Sequence, residues 1–159
     1  IDSPAFADMG AIPARYTCDA ERLNPPLRFT GVPRSARSLA LIMDDIDVPR
    51  SHRPDGLWNH WLVWNLPPDT PGIAEGAEPP GISGHTSGGE TEYQPPCPPE
   101  DEHRYVFRLY ALDNMLDLDL ASTRRDDLLR AMEGHIVARA KMTGRYRRQG
   151  AARGGMLAG

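Results

Sequence analysis

Residues 93–113 read YQPPCPPEDEHRYVFRLYALD and restrict how the middle of this chain can fold. Because proline fixes φ and lacks a backbone N–H, the segment from Pro95 to Pro99 can form neither a helix nor a central strand. The aromatic and β-branched residues that follow predict a strand over residues 104–109. A rigid loop would therefore place His103 at the start of a strand, where a titratable side chain can form part of a pocket wall.

Other segments predict that this strand belongs to a mainly β fold. The apolar run SLALIM, residues 38–43, is typical of a buried strand, and HWLVWNLP, residues 60–67, predicts a second one. A short strand is expected over residues 27–30, and KMTGRYRR, residues 141–148, predicts a final strand in which Met142, Gly144 and Tyr146 alternate. The segment 68–92 is rich in Gly, Pro, Ser and Thr and predicts a long loop, and long ordered loops are often functional.

One helix is predicted after residue 123. Thr123 and Asp126 have the spacing of a capping box, in which each side chain accepts a hydrogen bond from the other residue's backbone. Gly134 interrupts the pattern at a modest cost. The apolar stripe of the helix repeats every four residues and comprises Leu128, Met132, Ile136 and Ala140.

The composition describes one globular domain. The chain has 159 residues, is 40% apolar and 25% charged, and contains 16 prolines and 15 glycines, which favours a loop-rich β fold over a helical bundle. A net charge of −4 argues against nucleic-acid binding, and no apolar run reaches the ~20 residues of a membrane span. We predict a single domain over residues 1–148 and a disordered tail over residues 149–159.

The two cysteines, Cys18 and Cys97, form neither a zinc motif nor a disulfide framework. Nothing in the composition indicates an oxidising compartment, so we expect both thiols to be free and the protein to be cytoplasmic. Cys97 is expected to be a small packed residue rather than a nucleophile. The three tryptophans are expected to pack in the core and at its rim: Trp58, Trp61 and Trp64.

Polar side chains lie at the ends of the three strong strands. Asp45 and Asp47 follow the first strand, His60 opens the second and His103 opens the third. If these ends meet on one side of the sheet, two imidazoles and one or two carboxylates converge in a pocket. Each residue also has a simpler interpretation, because a histidine at a strand end is usually just a polar residue and aspartates before Pro49 can form a turn.

The order and spacing of several segments resemble the phosphatidylethanolamine-binding protein family, also called the Raf kinase inhibitor protein family, in its shorter bacterial and archaeal branch. The resemblance covers the chain from about Ser3 to Arg147. It rests on IPARYTCD with NPPLRFTGVP, SLALIMDDIDVP, HWLVWNLP, YQPPCPP with HRYVFRLYALD, and GHIVARAKMTGRYRR. It implies a mainly β sandwich, a large sheet packed on a smaller one, with one or two short helices.

The resemblance also implies a small pocket that accepts phosphate-type groups. The family's acidic loop usually reads Asp-Pro-Asp-Ala-Pro, and in this chain Ile46 and Val48 replace its first proline and its alanine. Pro95 stands where bacterial relatives commonly have glycine. Carried over residue by residue, the pocket would be formed by Asp45, Asp47, His60, Tyr93, Cys97, Pro98, Pro99, His103 and Tyr105.

The function implied is that of a non-catalytic binding protein for phosphate groups or phospholipid headgroups. It would need no cofactor, could regulate a protein partner such as a kinase or a protease, and could form a homodimer. The alternative is a metal-dependent or His/Asp-based hydrolase that uses His60, His103 and Asp45 in the same pocket. Against it, the chain has no His-Glu-x-x-His motif and no Gly-x-Ser-x-Gly motif.

Overall fold

The computed structural model describes residues 1–148, so the tail expected over residues 149–159 lies outside the described residues. Seven strands, one α-helix and a short 3-10 helix at Ala14–Tyr16 make up the described part. Their bounds are β1 Leu27–Arg28, β2 Ser38–Asp45, β3 Trp58–Leu66, β4 Gly72–Ile73, β5 Ile82–Ser83, β6 His103–Leu112, α1 Arg125–Met132 and β7 Ile136–Tyr146.

The fold is mainly β, as the sequence predicted. Five antiparallel strands form the large sheet in the order β5-β3-β2-β6-β7, and β1 pairs with β4 in a second, two-stranded sheet. The first strong strand, β2, lies in the centre of the large sheet, and every one of its residues is buried. Near-continuous apolar sequence is expected for a strand that is covered on both faces.

Two hydrophobic cores lie on opposite faces of the large sheet. Side chains of β2 alternate between them, so that Leu39, Leu41 and Met43 belong to the core shared with the small sheet. Ala40 and Ile42 point the other way, into a core that includes Leu128 and Met132 of α1. This alternation decides to which face each functional side chain of β2 and β6 points.

The predicted helix was half right. Its last two stripe residues, Ile136 and Ala140, lie in β7, because the chain reverses at Gly134, whose φ of 78° is in the left-handed region. The cap is also displaced by one residue, since the Arg124 N–H donates to the Asp127 carboxylate at 2.9 Å. Apolar residues therefore recur every four positions across the end of the helix by chance, although the last two belong to a strand.

The segment 68–92 also differs from the continuous loop that we expected. It contains β4 and β5, and β5 pairs antiparallel with β3 through Val63–Ser83 and Trp64–Ile82. The Gly- and Pro-rich sequence of this segment carries no periodic pattern that would indicate these two short strands.

The expectation of two free thiols was wrong, because Cys18 and Cys97 form a disulfide with a Cα–Cα distance of 5.5 Å. Seventy-nine positions separate them in sequence. A backbone hydrogen bond of 3.1 Å from the Cys18 N–H to the Pro96 carbonyl joins the two loops beside the bond. Composition could not predict this pairing, because it depends on a contact between distant loops.

The disulfide also bears on the expected location. Disulfides persist mainly in oxidising environments, so the bond weighs against the cytoplasmic location that we expected on the basis of free thiols. Among residues 1–148, no helix is both long and apolar enough to cross a membrane.

Candidate functional site

A cavity of about 370 Å³ lies at the end of the large sheet where β2 finishes and β3 and β6 begin. The three polar strand ends identified in the sequence do meet here. Of the nine predicted site residues, seven line this cavity, namely Asp45, His60, Cys97, Pro98, Pro99, His103 and Tyr105. Six lining residues were not predicted as site residues: Val48, Pro49, His52, Trp58, Gln94 and Pro95.

A buried hydrogen bond between His103 and Asp45 forms the polar centre of the cavity. Asp45 pairs with Tyr105 across β2 and β6, and His103 begins β6 two residues earlier, so all three side chains share one face of the sheet. His103 Nδ1 lies 2.6 Å from Asp45 Oδ2, and both side chains are buried. Because a carboxylate can only accept, Nδ1 carries a proton and Nε2 is the ring nitrogen left for other partners.

The second oxygen of Asp45 is also engaged. Asp45 Oδ1 accepts a hydrogen bond of 2.8 Å from the Asp47 N–H, which orients the carboxylate from the loop that follows β2. The sequence placed Asp45 after the first strand, but the residue is the last one of β2 and only 4% of its surface is exposed. Its carboxylate positions His103.

A β-bulge brings His60 into the same cavity. Met43 pairs with Trp61 and Asp44 pairs with Asn59, so His60 is the extra residue on β3. Such a bulge can direct two successive side chains towards one face, which strict alternation forbids. The His60 ring meets the Tyr105 ring edge-on, with centroids 5.3 Å apart.

Like the His103 ring, the His60 ring is held in place by a hydrogen bond at its Nδ1 atom. His60 Nδ1 lies 2.8 Å from the Gln94 carbonyl oxygen, and the Gln94 N–H donates to the His60 carbonyl at 2.8 Å. Because a carbonyl can only accept, Nδ1 is again the protonated nitrogen. Burial lowers the pKa of His60 below its ordinary value, which the Gln94 hydrogen bond and the Asp45 charge only partly offset.

Tyr105 forms the buried floor between the two imidazoles. Its ring stacks on His103 with centroids 6.5 Å apart, and its surface is 0% exposed. Its hydroxyl is buried and forms no hydrogen bond of normal geometry with a residue within 1–148. Burial, followed by the charge of Asp45, raises the pKa of Tyr105 far above its ordinary value, so the phenol remains a neutral donor.

Two predicted site residues lie outside the cavity. The Asp47 carboxylate accepts from the backbone N–H of Arg104 at 2.8 Å and from its guanidinium at 2.8 and 2.9 Å. These hydrogen bonds lower the pKa of Asp47. Tyr93 packs edge-on against Trp61, and its hydroxyl donates to the Tyr16 carbonyl at 2.8 Å. Both residues support the walls, and the sequence could not distinguish this role from lining the pocket.

The proline-rich segment forms one wall, as its sequence indicated. Cys97, Pro98 and Pro99 line the cavity, and the disulfide ties the wall to Cys18 on a distant loop. Pro95 and Val48, two of the departures from the family pattern, also line it. The wall is consequently fixed by restricted φ angles and by a covalent bond.

A larger cavity of about 770 Å³ lies beside this one and shares Gln94 and Pro95 with it. Its lining includes Glu78, Glu90 and Glu92, and Tyr93 belongs to this neighbour. The smaller cavity is the better candidate because it collects buried histidine, aspartate and tyrosine side chains, and groups of this kind are typical of functional sites. Residues 1–148 contain no cluster of three His, Cys, Asp or Glu side chains placed to hold a metal ion.

The fold and the cavity define a class of two-sheet β proteins with a small pocket of histidine, aspartate and tyrosine at the end of the large sheet. The family model described as phosphatidylethanolamine-binding protein matches residues 2–147. The chain therefore belongs to the phosphatidylethanolamine-binding protein family, which confirms the resemblance seen in its sequence.

Relatives from archaea and bacteria support the same assignment. The chain is 49% identical over 150 residues to a UPF0098 protein of Methanothermobacter thermautotrophicus, covering 91% of this chain and 95% of the relative. It is 47% identical over 146 residues to a UPF0098 protein of Chlamydia trachomatis, covering 92% and 97%.

Solved structures confirm the fold. A crystal structure of a phosphatidylethanolamine-binding protein homologue from Chlamydia trachomatis superposes with a TM-score of 0.90 at 46% identity, covering 93% of this chain and 96% of that one. YbcL of Escherichia coli, a member of the mammalian family, superposes with a TM-score of 0.82 at 21% identity, covering 92% and 96%. At that identity YbcL supports the fold alone.

Proposed function

We propose that the protein is a non-catalytic binding protein for small anions of the phosphate type, such as a phospholipid headgroup, and that the ligand binds in the cavity between His60 and His103. The observation that carries this proposal is the shared arrangement of the two buried imidazoles. Each uses Nδ1–H for a fixed acceptor, Gln94 O or Asp45 Oδ2, and retains Nε2 for a ligand.

This arrangement links binding to protonation. When the imidazole is neutral, Nε2 is only an acceptor and repels the oxygens of an anion. When it is protonated, Nε2–H donates a charge-assisted hydrogen bond, which is the stronger kind. A phosphate-type anion should therefore enter together with protons, taken up by the histidines or carried by the anion itself.

The remaining lining suits a headgroup. Val48, Pro49, Trp58 and Pro98 supply apolar surface for methylene groups, and a volume of about 370 Å³ accommodates a compact polar group. Tyr105 also lines the cavity, and its hydroxyl could donate to an oxygen of the bound anion. Regulation of a kinase or protease partner and formation of a homodimer remain predictions.

The choice of residues also favours binding over covalent catalysis. The described lining contains no serine, threonine or lysine. Cys97 is the single cysteine of the lining, and a disulfide sulfur is not a thiolate nucleophile. His103 and Asp45 resemble the base and its orienting acid in hydrolases, but the described lining offers them no serine, threonine or free cysteine to activate.

Titration calorimetry with methylphosphonate and O-phosphoethanolamine, at about pH 5.5 and about pH 8, tests the proposal. Affinity should be greater at the lower pH, because a bound anion raises the histidine pKa values, so affinity falls as the pH rises through the bound-state values. Either His60→Ala or His103→Ala should weaken binding at the lower pH by about 1.5–3 kcal/mol, the range for a hydrogen bond to a charged group.

The control variant is His135→Ala. His135 pairs with Asp113 at 2.8 Å on the surface and does not line the cavity. This variant should bind like the native chain. Equal affinities of all four proteins at both pH values would remove His60 and His103 from the site. Stoichiometric metal in the purified protein, or hydrolysis of a phosphoester that His103→Ala abolishes, would favour the hydrolase instead.

A further inference from the structure

A second polar cavity, of about 460 Å³, lies on the opposite face of the large sheet near its β7 edge. Five residues line it: Arg108, Tyr110, Arg139, Ala140 and Lys141. Arg108 is paired directly with Lys141, and Tyr110 with Arg139, across β6 and β7. Paired residues of antiparallel strands project to the same face, so three cationic side chains and a phenol share this small area.

The positive charge of this cavity is poorly compensated. Arg108 Nη1 donates to Asp44 Oδ2 at 3.2 Å, but the same carboxylate also accepts from Arg125 Nε at 3.0 Å and from Asn59 Nδ2 at 3.1 Å. Arg139 and Lys141 are exposed, and neither forms an ion pair with a residue of the described chain. Of the three cations that line the cavity, only Arg108 therefore has a carboxylate partner within residues 1–148.

One feature of the cavity is unfavourable without a ligand. Like charges directly opposite each other across strands destabilise a sheet, and Arg108 faces Lys141 in this way. Tyr110 lines the same cavity, and 8% of its surface is exposed. A bound anion would offset the charge repulsion and could accept a hydrogen bond from the phenol.

We propose that Arg108, Tyr110, Arg139 and Lys141 form a second anion site, which binds one multiply charged phosphate group such as a diphosphate or a phosphate monoester. Guanidinium groups bind phosphate oxygens in bidentate fashion, and the lysine adds a compact charge. A single compact group fits better than a long polyanion, because the cluster holds few cations and the whole chain carries a net charge of −4.

The second site differs chemically from the histidine pocket. Arginine and lysine remain charged throughout the range in which histidine titrates, so binding needs no proton uptake by the protein. At about pH 8 the histidine pocket should bind anions weakly while the arginine site remains active. Partial exposure of its cations also makes the second site sensitive to ionic strength.

Inorganic pyrophosphate added to the isotope-labelled full chain at about pH 8, followed by amide NMR, tests the proposal. The expected result is saturable shifts centred on residues 108–110 and 139–141, which weaken as salt is added. The double variant Arg139→Gln/Lys141→Gln should lower the affinity by roughly tenfold or more. Both residues are exposed, and the spectrum itself reports whether the variant is folded.

The matched control is Arg34→Gln/Arg37→Gln. It removes two exposed arginines that lie outside this cavity, so the change in net charge is the same. This control should keep the native affinity. Shifts confined to Asp45, His60 and His103, or an equal loss of affinity in both double variants, would overturn the second site. Because the two sites map to different amides, the failure of one proposal is separable from the failure of the other.

Discussion

Asp44 and Asp45 are neighbours at the end of β2, yet they lie on opposite faces of the large sheet and have different partners. Asp44 is 0% exposed and is held by Arg108, Arg125 and Asn59. Its positive partners come from β6 and α1, so this carboxylate joins three elements. The arginines carry a permanent charge, and the group has a structural role at ordinary pH.

Asp45 has the partners of a titratable site. It receives one hydrogen bond from the Asp47 N–H and one from His103, whose ring can gain or lose a proton. We infer that the Asp44 carboxylate, beside arginines, stabilises the fold, whereas the Asp45 carboxylate, beside a histidine, can link ligand binding to pH. Alternation along one strand is enough to separate the two roles.

Removal of the Cys18–Cys97 disulfide beside the pocket should have the largest effect on stability. The Cys18–Cys97 bond closes a loop of 79 positions, and the double variant Cys18→Ser/Cys97→Ser should lower the free energy of unfolding by about 4 kcal/mol, mainly through the entropy of the unfolded chain. Urea unfolding measures this loss, and native protein treated with reductant should match the variant. A loss below ~1 kcal/mol would mean that the disulfide contributes little to the stability of the fold.

Asp44→Asn should follow, with a loss of about 3 kcal/mol in the free energy of unfolding. The substitution leaves Arg108 and Arg125 partly buried beside a neutral amide, and breaking one member of a buried ion group is strongly destabilising. Asp113→Asn is the control, because its ion pair with His135 is exposed and should contribute at most ~1 kcal/mol. Equal losses in the two variants would remove the structural role assigned to Asp44.

Asp45→Asn should cost about 1–2 kcal/mol, more than a surface change, because the residue is buried and loses a charge-assisted bond to His103. Its main effect should be on ligands, since the imidazolium form of His103 loses its carboxylate partner. Asp47→Asn, which alters a carboxylate paired with exposed Arg104, should leave phosphonate affinity unchanged. If Asp47→Asn weakens binding as much as Asp45→Asn, the pocket extends beyond the described cavity.

The smallest expected effect concerns His60 and pH. Burial lowers the pKa of His60 in the folded state, so below about pH 6.5 the unfolded chain binds more protons and the native state loses stability as the pH falls. A single proton limits the loss to about 1.4 kcal/mol per pH unit. Unfolding of the native chain and of His60→Gln, compared at about pH 7.5 and 5.5, measures it. Identical pH dependence in the two proteins would contradict the buried, neutral imidazole.

Long apolar patterns predicted the three strong strands well, whereas local patterns misplaced the end of the helix and gave no sign of β4 and β5. The three strong strands form where SLALIM, HWLVWNLP and HRYVFRLYALD indicated, since burial on both faces demands continuous apolar sequence. The predicted helix was too long, because the four-residue spacing of Leu128, Met132 and Ile136 gives no sign of the turn at Gly134. Lining residues such as His52 and Gln94 carried no signal in the sequence, because only the fold brings them to the cavity.

The sequence was sufficient for the fold class and the family, and it placed Asp45, His60 and His103 near strand ends, because periodicity and motif order are properties of the chain. Tertiary structure alone decided that Asp47 turns to Arg104 and that Cys18 meets Cys97. It also directed His60 into the pocket through a bulge. These outcomes depend on register and on contacts between residues far apart in the chain, and a linear pattern does not contain them.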